Sequence, residues 1–241
     1  MKSSLIILCL NEYPCLLKIL PQINQSWFDE VVIIDGGSTD GSIAYAESLG
    51  FNVRRQSSRG VLEGIREGIA TTQGEIIVFF TPDGNMLPEK LPVLVAKMRE
   101  GFDMVTVSRY KDGAKSTDDS LLSAFGNWFF THLVNVLFGS KFTDLLGFYR
   151  AIRRDIFQKT ELEGFEVSRA INTQLSIRAW KRKLKIAEIS GDEPPRIAGK
   201  SVRRIWFHGT MELLTILEEF FIGIKPIWFA INRLNRLFNS H

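Results

Sequence analysis

Short apolar runs closed by turn residues recur through the first half of the chain. Leu5 to Leu10, Val31 to Ile34 and Ile76 to Phe80 are continuous apolar stretches too short for helices. Such runs predict strands buried on both faces of a parallel sheet. Shorter strands are predicted at Phe51 to Arg55 and Asp103 to Val107. The intervening segments predict helices over Pro14 to about Gln25, after Ser38 or Thr39, over Gly60 to Thr72, and over Leu91 to Glu100. Pro14 suits a helix start, where no N–H is required, and Ser38 or Thr39 is the expected N-cap. Strands alternating with helices predict βαβ units, hence an α/β fold with a mostly parallel sheet.

Each main run ends in polar turn formers. The first ends at Asn11-Glu12-Tyr13-Pro14, the second at Asp35-Gly36-Gly37-Ser38-Thr39-Asp40-Gly41-Ser42, and the central one at Thr81-Pro82-Asp83-Gly84-Asn85. Ligands of open α/β sheets sit beyond the carboxyl ends of the strands. Asp83 is thus placed as a metal ligand or polar catalytic group. A lone turn Asp more commonly holds its own backbone. The second run ending the same way, at Asp35, favours a site.

The second half reads differently. Lys111 to Asp119 is a polar loop of mixed charge, and Ser120 to Ser140 contains no Lys, Arg, Asp or Glu. That length raises a transmembrane helix. Ser123, Asn127, Thr131 and Asn135 nevertheless form a polar stripe at every fourth position. A helix or helix pair lying in the membrane interface is expected, with core packing as the alternative. From Ile205 the chain turns amphipathic, with Leu213, Leu217, Phe220 and Ile224 on one face. After Lys225-Pro226 a second stripe, Ile227, Ile231, Leu234 and Phe238, runs beside Trp228, Arg233 and Arg236. Its charges are too frequent for a span, and a basic amphipathic helix suits a membrane surface. Packing on the domain or a homo-oligomer interface is the alternative. The expected division is a catalytic domain over 1–204 and a helical appendage over 205–241.

The 241 residues are 45% hydrophobic and include 18 Phe, enough for a sizeable core with apolar residues left for a surface. A net charge of +3 is too small to argue for nucleic acid. Cys9 and Cys15, the only cysteines, point to a reducing compartment without disulfides. Met1-Lys2 with Leu5 to Leu10 mimics a signal peptide. The apolar core is too short, and Asn11-Glu12 follows where a cleavage site belongs. A cytoplasmic protein, peripheral to the membrane, is expected.

VVIIDGGSTDGS, FFTPDGN, SRY, TDLLGFYRAIRR and EISGDEPPRIAGKS occur in an order and spacing that resembles family-2 glycosyltransferases, the inverting nucleotide-sugar enzymes. The dolichol- and polyprenyl-phosphate sugar synthases are the most similar branch, and the resemblance spans about Leu5 to Ser201. It implies a glycosyltransferase-A type fold, a nucleotide-diphosphate sugar donor, and a divalent metal, Mg²⁺ or Mn²⁺. It implies nucleoside contacts from Asn11, Glu12 and Asp35, with Arg59-Gly60 reaching the base or ribose. The family's Asp-x-Asp loop reads Thr81-Pro82-Asp83 here, leaving Asp83 as the metal carboxylate. Mg²⁺ commonly uses one or two carboxylates with phosphate and water. Arg109, Arg150, Arg196 and Lys200 lie in matching segments, where cations would offset charge on a leaving diphosphate. The plainer reading of any one is a surface cation, and that reading is expected for Arg153, Arg154 and Lys181-Arg182-Lys183. Lys200 is displaced from the family's Gly-x-Ser-Lys.

Relatives acting on a sugar hydroxyl carry Glu-Asp before a helix, the Asp being a general base. The matching positions here are Ile171-Asn172. A phosphate acceptor is already anionic, so the missing pair favours a lipid phosphate. Asp144 or Glu166 standing in as base would favour a hydroxyl acceptor. A nucleotide-sugar-binding protein without turnover is the third reading, motivated by Thr81.

Overall fold

A computed structural model of the chain describes residues 1–159, 170–199 and 205–221. The predicted Lys200 and Glu166, and the second C-terminal stripe, lie outside these residues.

Among the described residues, seven strands form one sheet in the order β3-β2-β1-β4-β6-β5-β7. They are β1 (Ser3–Cys9), β2 (Glu30–Asp35), β3 (Asn52–Arg55), β4 (Ile76–Phe80), β5 (Met104–Ser108), β6 (Arg150–Arg153) and β7 (Ile186–Ser190). All pairings are parallel except those of β6, which runs antiparallel between β4 and β5. The expected mostly parallel α/β sheet is therefore present. β1 and β4 carry apolar residues at every position of their centres because helices cover both faces. Leu5, Ile7 and Cys9 pack with Leu16 of α1 (Tyr13–Ile19) and with Leu91 and Leu94 of α4 (Lys90–Arg99). Ile6, one residue out of phase, packs on the opposite face near Ile65 of α3 (Val61–Thr71) and Leu175 of α7 (Ile171–Lys181). Helix α3 lies so close to β1 that a Cβ on Gly68 would meet Ile6 Cγ2 at 2.5 Å.

Several local expectations are corrected. The first helix stops at Ile19 and gives way to short 3-10 turns, because Pro21 cannot donate the N–H the next turn needs. Neither Ser38 nor Thr39 caps α2 (Ser42–Ser48); its N-cap is Gly41, and Asp40 Oδ1 accepts from the Ser42 N–H. Arg154, at the start of α6 (Arg154–Lys159), is no surface cation. Its guanidinium donates to the carbonyls of Gly74 and Ile69 and to Thr72 Oγ1, tying off the C-terminal end of α3. Lys181 is exposed as expected and donates to the carbonyl and carboxylate of Glu219.

Helix α5 (Leu121–Phe138) turns its polar stripe inward together with Val134, which packs with Leu145, Ile177 and Ile216. Asn127 and Thr131 are only 2% exposed, whereas Leu121 is 93% and Val136 81% exposed. The polar stripe faces inward and holds the loop after the helix. Thr131 Oγ1 accepts from the Leu145 N–H and Asn127 Oδ1 from that of Leu146. Asn135 exchanges hydrogen bonds with both the carbonyl and N–H of Phe142. Phe125, Trp128 and Phe129 stand outward in a stacked row. Helix α8 (Ile205–Phe221) packs on α5 and α7 through Met211, Thr215, Ile216 and Glu219, leaving Leu213 and Phe220 of the expected stripe exposed and Leu217 half-buried. Glu219 is buried against Arg178 Nε at 2.6 Å.

Candidate active site

β2 and β3 follow β1 on one side and β4 lies on its other side, so the chain changes direction between β1 and β4. The turns after these strands meet at that switch point, where α/β sheets hold ligands.

The Asp35 loop wraps the turn after β1. Asp35 Oδ2 accepts from the N–H groups of Gly37 and Ser38, at 2.8 and 2.9 Å. Ser38 Oγ then accepts from the Asn11 N–H, and Asn11 Oδ1 from the Thr39 N–H. Asn11 adopts a left-handed φ of 53°, which asparagine tolerates better than most residues. The Glu12 N–H donates to Ser42 Oγ. Asp35 Oδ1 is buried with no hydrogen-bond partner among the described residues. A buried acceptor without a donor is costly, and this oxygen could accept a hydrogen bond from a ligand's donor group.

Asp83 serves its own turn and points a second oxygen across the mouth. Oδ1 accepts from the Asn85 N–H at 3.1 Å and from Thr81 Oγ1 at 3.4 Å. Oδ2 accepts from Arg196 Nη2 at 2.8 Å, while Arg196 Nη1 donates to Glu12 Oε1 at 3.0 Å. Burial pushes the Asp83 carboxyl above its ordinary value against the pull of Arg196, and Glu12 pushes it further up. Glu12 and Asp83 fit a divalent metal as two hard oxygen donors, with other positions open to phosphate and water. Such an ion would neutralise charge developing on a leaving diphosphate.

Arg109 and Asp144 form a second centre at the end of β5. Arg109 Nε and Nη2 grip both Asp144 oxygens at 2.7 and 2.9 Å. Arg109 Nη1 reaches Glu193 at 3.1 Å and Asp119 at 3.3 Å. Burial alone would raise the Asp144 carboxyl, but Arg109 outweighs it and holds the group below its ordinary value. Asp144 is therefore a poor proton acceptor.

The structure thus brings Glu12, Asp83 and Arg196 together, and separately Arg109 with Asp144. Arg150 joins neither set. It is enclosed beneath the 144–147 loop, bonded to the Gly147 and Asn172 carbonyls and Ser176 Oγ, and burial pulls it down to about 10. Arg59 is exposed on the loop before α3, and Gly60 has a φ of 115° at that helix's N-cap. Asn172 donates its amide to the Leu146 carbonyl, and among the described residues the first turn of α7 carries no carboxylate. Sequence reasoning did not single out Glu193 or Asp119, and their link to Arg109 has no local signature.

A hydrogen-bonded backbone cradle and paired carboxylates at the switch point of a mostly parallel sheet define an α/β protein with its candidate site at the strand ends. The chain belongs to glycosyl transferase family 2, which it matches over residues 4–160. It is 28% identical over 195 residues to Glycosyltransferase AglJ of Haloferax volcanii, covering 78% of this chain and 62% of the relative. A dolichyl-phosphate hexose transferase of the same organism is 27% identical over 160 residues, covering 66% and 68%. The chain therefore spans about two thirds of these relatives' length. Glucosyl-3-phosphoglycerate synthase from Mycobacterium tuberculosis, solved with Mn²⁺, uridine diphosphate and phosphoglyceric acid, superposes with a TM-score of 0.69. Identity is 22%, covering 91% of this chain and 78% of that one. That likeness establishes the glycosyltransferase-A type fold.

Proposed function

We propose that this protein transfers a sugar, with inversion, from a nucleoside-diphosphate sugar to a polyprenyl phosphate at the cytoplasmic face of a membrane, assisted by Mg²⁺ or Mn²⁺. The observation that carries the reading is the outward apolar face of α5, continued by Trp206 and Phe220 on α8. This face begins at the rim of the site. Ser120 caps α5, and its neighbour Asp119 contacts Arg109. α5 is long and apolar enough to cross a bilayer. Its inward stripe is bonded to the domain, however, and that favours lying in the interface.

The proposed chemistry needs no protein base. An anionic phosphate oxygen attacks the anomeric carbon as that carbon's bond to the diphosphate breaks, and no proton moves. Asp144, held by Arg109, and Asn172, in place of an acid, agree with that economy. The dolichyl-phosphate hexose transferase relative points to the same acceptor class. The test is incubation of UDP- and GDP-sugars with a short polyprenyl phosphate and, separately, saccharide acceptors. Lipid-phosphate sugar of inverted anomeric configuration is expected. Product on saccharide hydroxyls alone would overturn the reading.

A further inference from the structure

The segment after β7 crosses the mouth of the site as a strap. The Glu193 N–H donates to the Lys115 carbonyl, and the Glu193 carbonyl accepts from the Thr117 N–H, both at 2.9 Å. Asn85 Nδ2 donates to the Pro194 carbonyl at 2.8 Å, and the Ile197 N–H to the Asp83 carbonyl at 2.9 Å. Ile197 sits so tightly over Gly84 that a Cβ there would meet its Cγ1 at 2.6 Å. The strap thereby fixes the backbone on both sides of Arg196. Its guanidinium lies between Glu12 and Asp83, two carboxylates from different strand ends converging on one cation. These are the same hard oxygens a divalent ion would need.

We propose that Arg196 is a built-in, displaceable occupant of the divalent-cation position. The inference rests on the metal-assisted donor reading above and deepens it. A metal arriving alone must expel the guanidinium without giving it a new partner. A metal arriving with a diphosphate offers one, since arginine binds phosphate oxygens bidentately. Guanidinium and metal then exchange anions, and every charge stays paired. Glu12 becomes the second carboxylate that Thr81 does not supply. The free protein is closed to bare metal and opens to metal together with nucleotide.

The test is Mn²⁺ titration without nucleotide, followed by the electron paramagnetic resonance signal of the free ion. Arg196→Gln should bind Mn²⁺ at least tenfold more tightly than wild type. Adding Glu12→Gln to that variant should remove the gain. Adding UDP or GDP should tighten Mn²⁺ binding in wild type far more than in Arg196→Gln. Arg196→Lys, which keeps a cation on the strap, should fall between the two and guards against misfolding of the glutamine variant. Mn²⁺ affinity unchanged or weaker in Arg196→Gln, with wild type binding Mn²⁺ in the presence of nucleotide, overturns the plug and leaves the donor reading intact. Absence of Mn²⁺ binding in every variant, with or without nucleotide, overturns both.

Discussion

Asp83 shows how one side chain does both jobs that its position in a turn permits. One oxygen holds the local backbone and the other faces Arg196. Asp83→Asn keeps the Asn85 bond but loses the charge a metal requires. Mn²⁺-dependent binding of UDP or GDP should fall at least tenfold while the thermal midpoint holds, as calorimetry would measure. Thr81→Asp should strengthen metal binding. Asp144 tests the other centre. Its carboxyl is held below its ordinary value of 3.8, so its contribution to stability is full above that pH. The contribution is lost as pH falls through the lower folded value, because the unfolded chain takes up the proton first. Asp144→Asn should destabilise the protein by about 3 kcal/mol near neutrality, typical of breaking a buried pair. Denaturant titrations should show that difference shrinking below pH 4. A gap that stays constant would mean that the Arg109–Asp144 charge pairing contributes nothing.

At the scale of elements, what could be read from the sequence followed burial. β1, β2, β4 and β5 were legible because a strand covered on both faces must be apolar throughout. β6 was not, since Arg150-Ala151-Ile152-Arg153 carries two arginines and pairs antiparallel only after a long excursion through α5. β7, a short edge strand of half-buried residues, lacks a continuous apolar run. The α5 stripe was visible as a pattern, but its direction was not, because periodicity alone cannot say which face turns inward. The same holds for the site. Asp35 and Asp83 were legible at their strand ends, whereas Arg196 meets Glu12 across 184 residues and Asp83 across 113. The α8 contact makes a direct test. Its buried face includes Glu219 against Arg178 and Lys181. Removing one partner of a buried pair leaves charge uncompensated, so Glu219→Ala should cost about 3–5 kcal/mol. Leu213→Ala, on the exposed face, should change stability by less than about 0.5 kcal/mol. Chemical denaturation of both variants decides whether charge or the apolar stripe docks α8.

Across the whole molecule, the Asp35 loop, the Glu12–Arg196–Asp83 cluster and the Arg109 centre lie at the carboxyl ends of the strands, and the outward aromatic face of α5 starts beside the last of them. The polar loop ending at Asp119 joins the last two, because Asp119 contacts Arg109 while Ser120 caps α5. A protein lying on lipid through α5 and α8 would bring the mouth of its site to the headgroup layer, where an acceptor phosphate sits. Aromatic side chains at that depth bury apolar area in proportion to their size. Phe125→Glu with Trp128→Glu removes two of the three stacked rings and adds charge to that face. Both residues are exposed, so folding should be unaffected. The double variant should pellet poorly with anionic vesicles and lose at least tenfold of its transfer to a long polyprenyl phosphate embedded in them. Transfer to a short, detergent-dispersed polyprenyl phosphate should stay within about twofold of wild type, since the proposed cation site at Glu12 and Asp83 does not include α5. Equal losses on both acceptors would place the aromatic row inside the catalytic machinery. Unchanged vesicle binding would assign that face to something other than lipid.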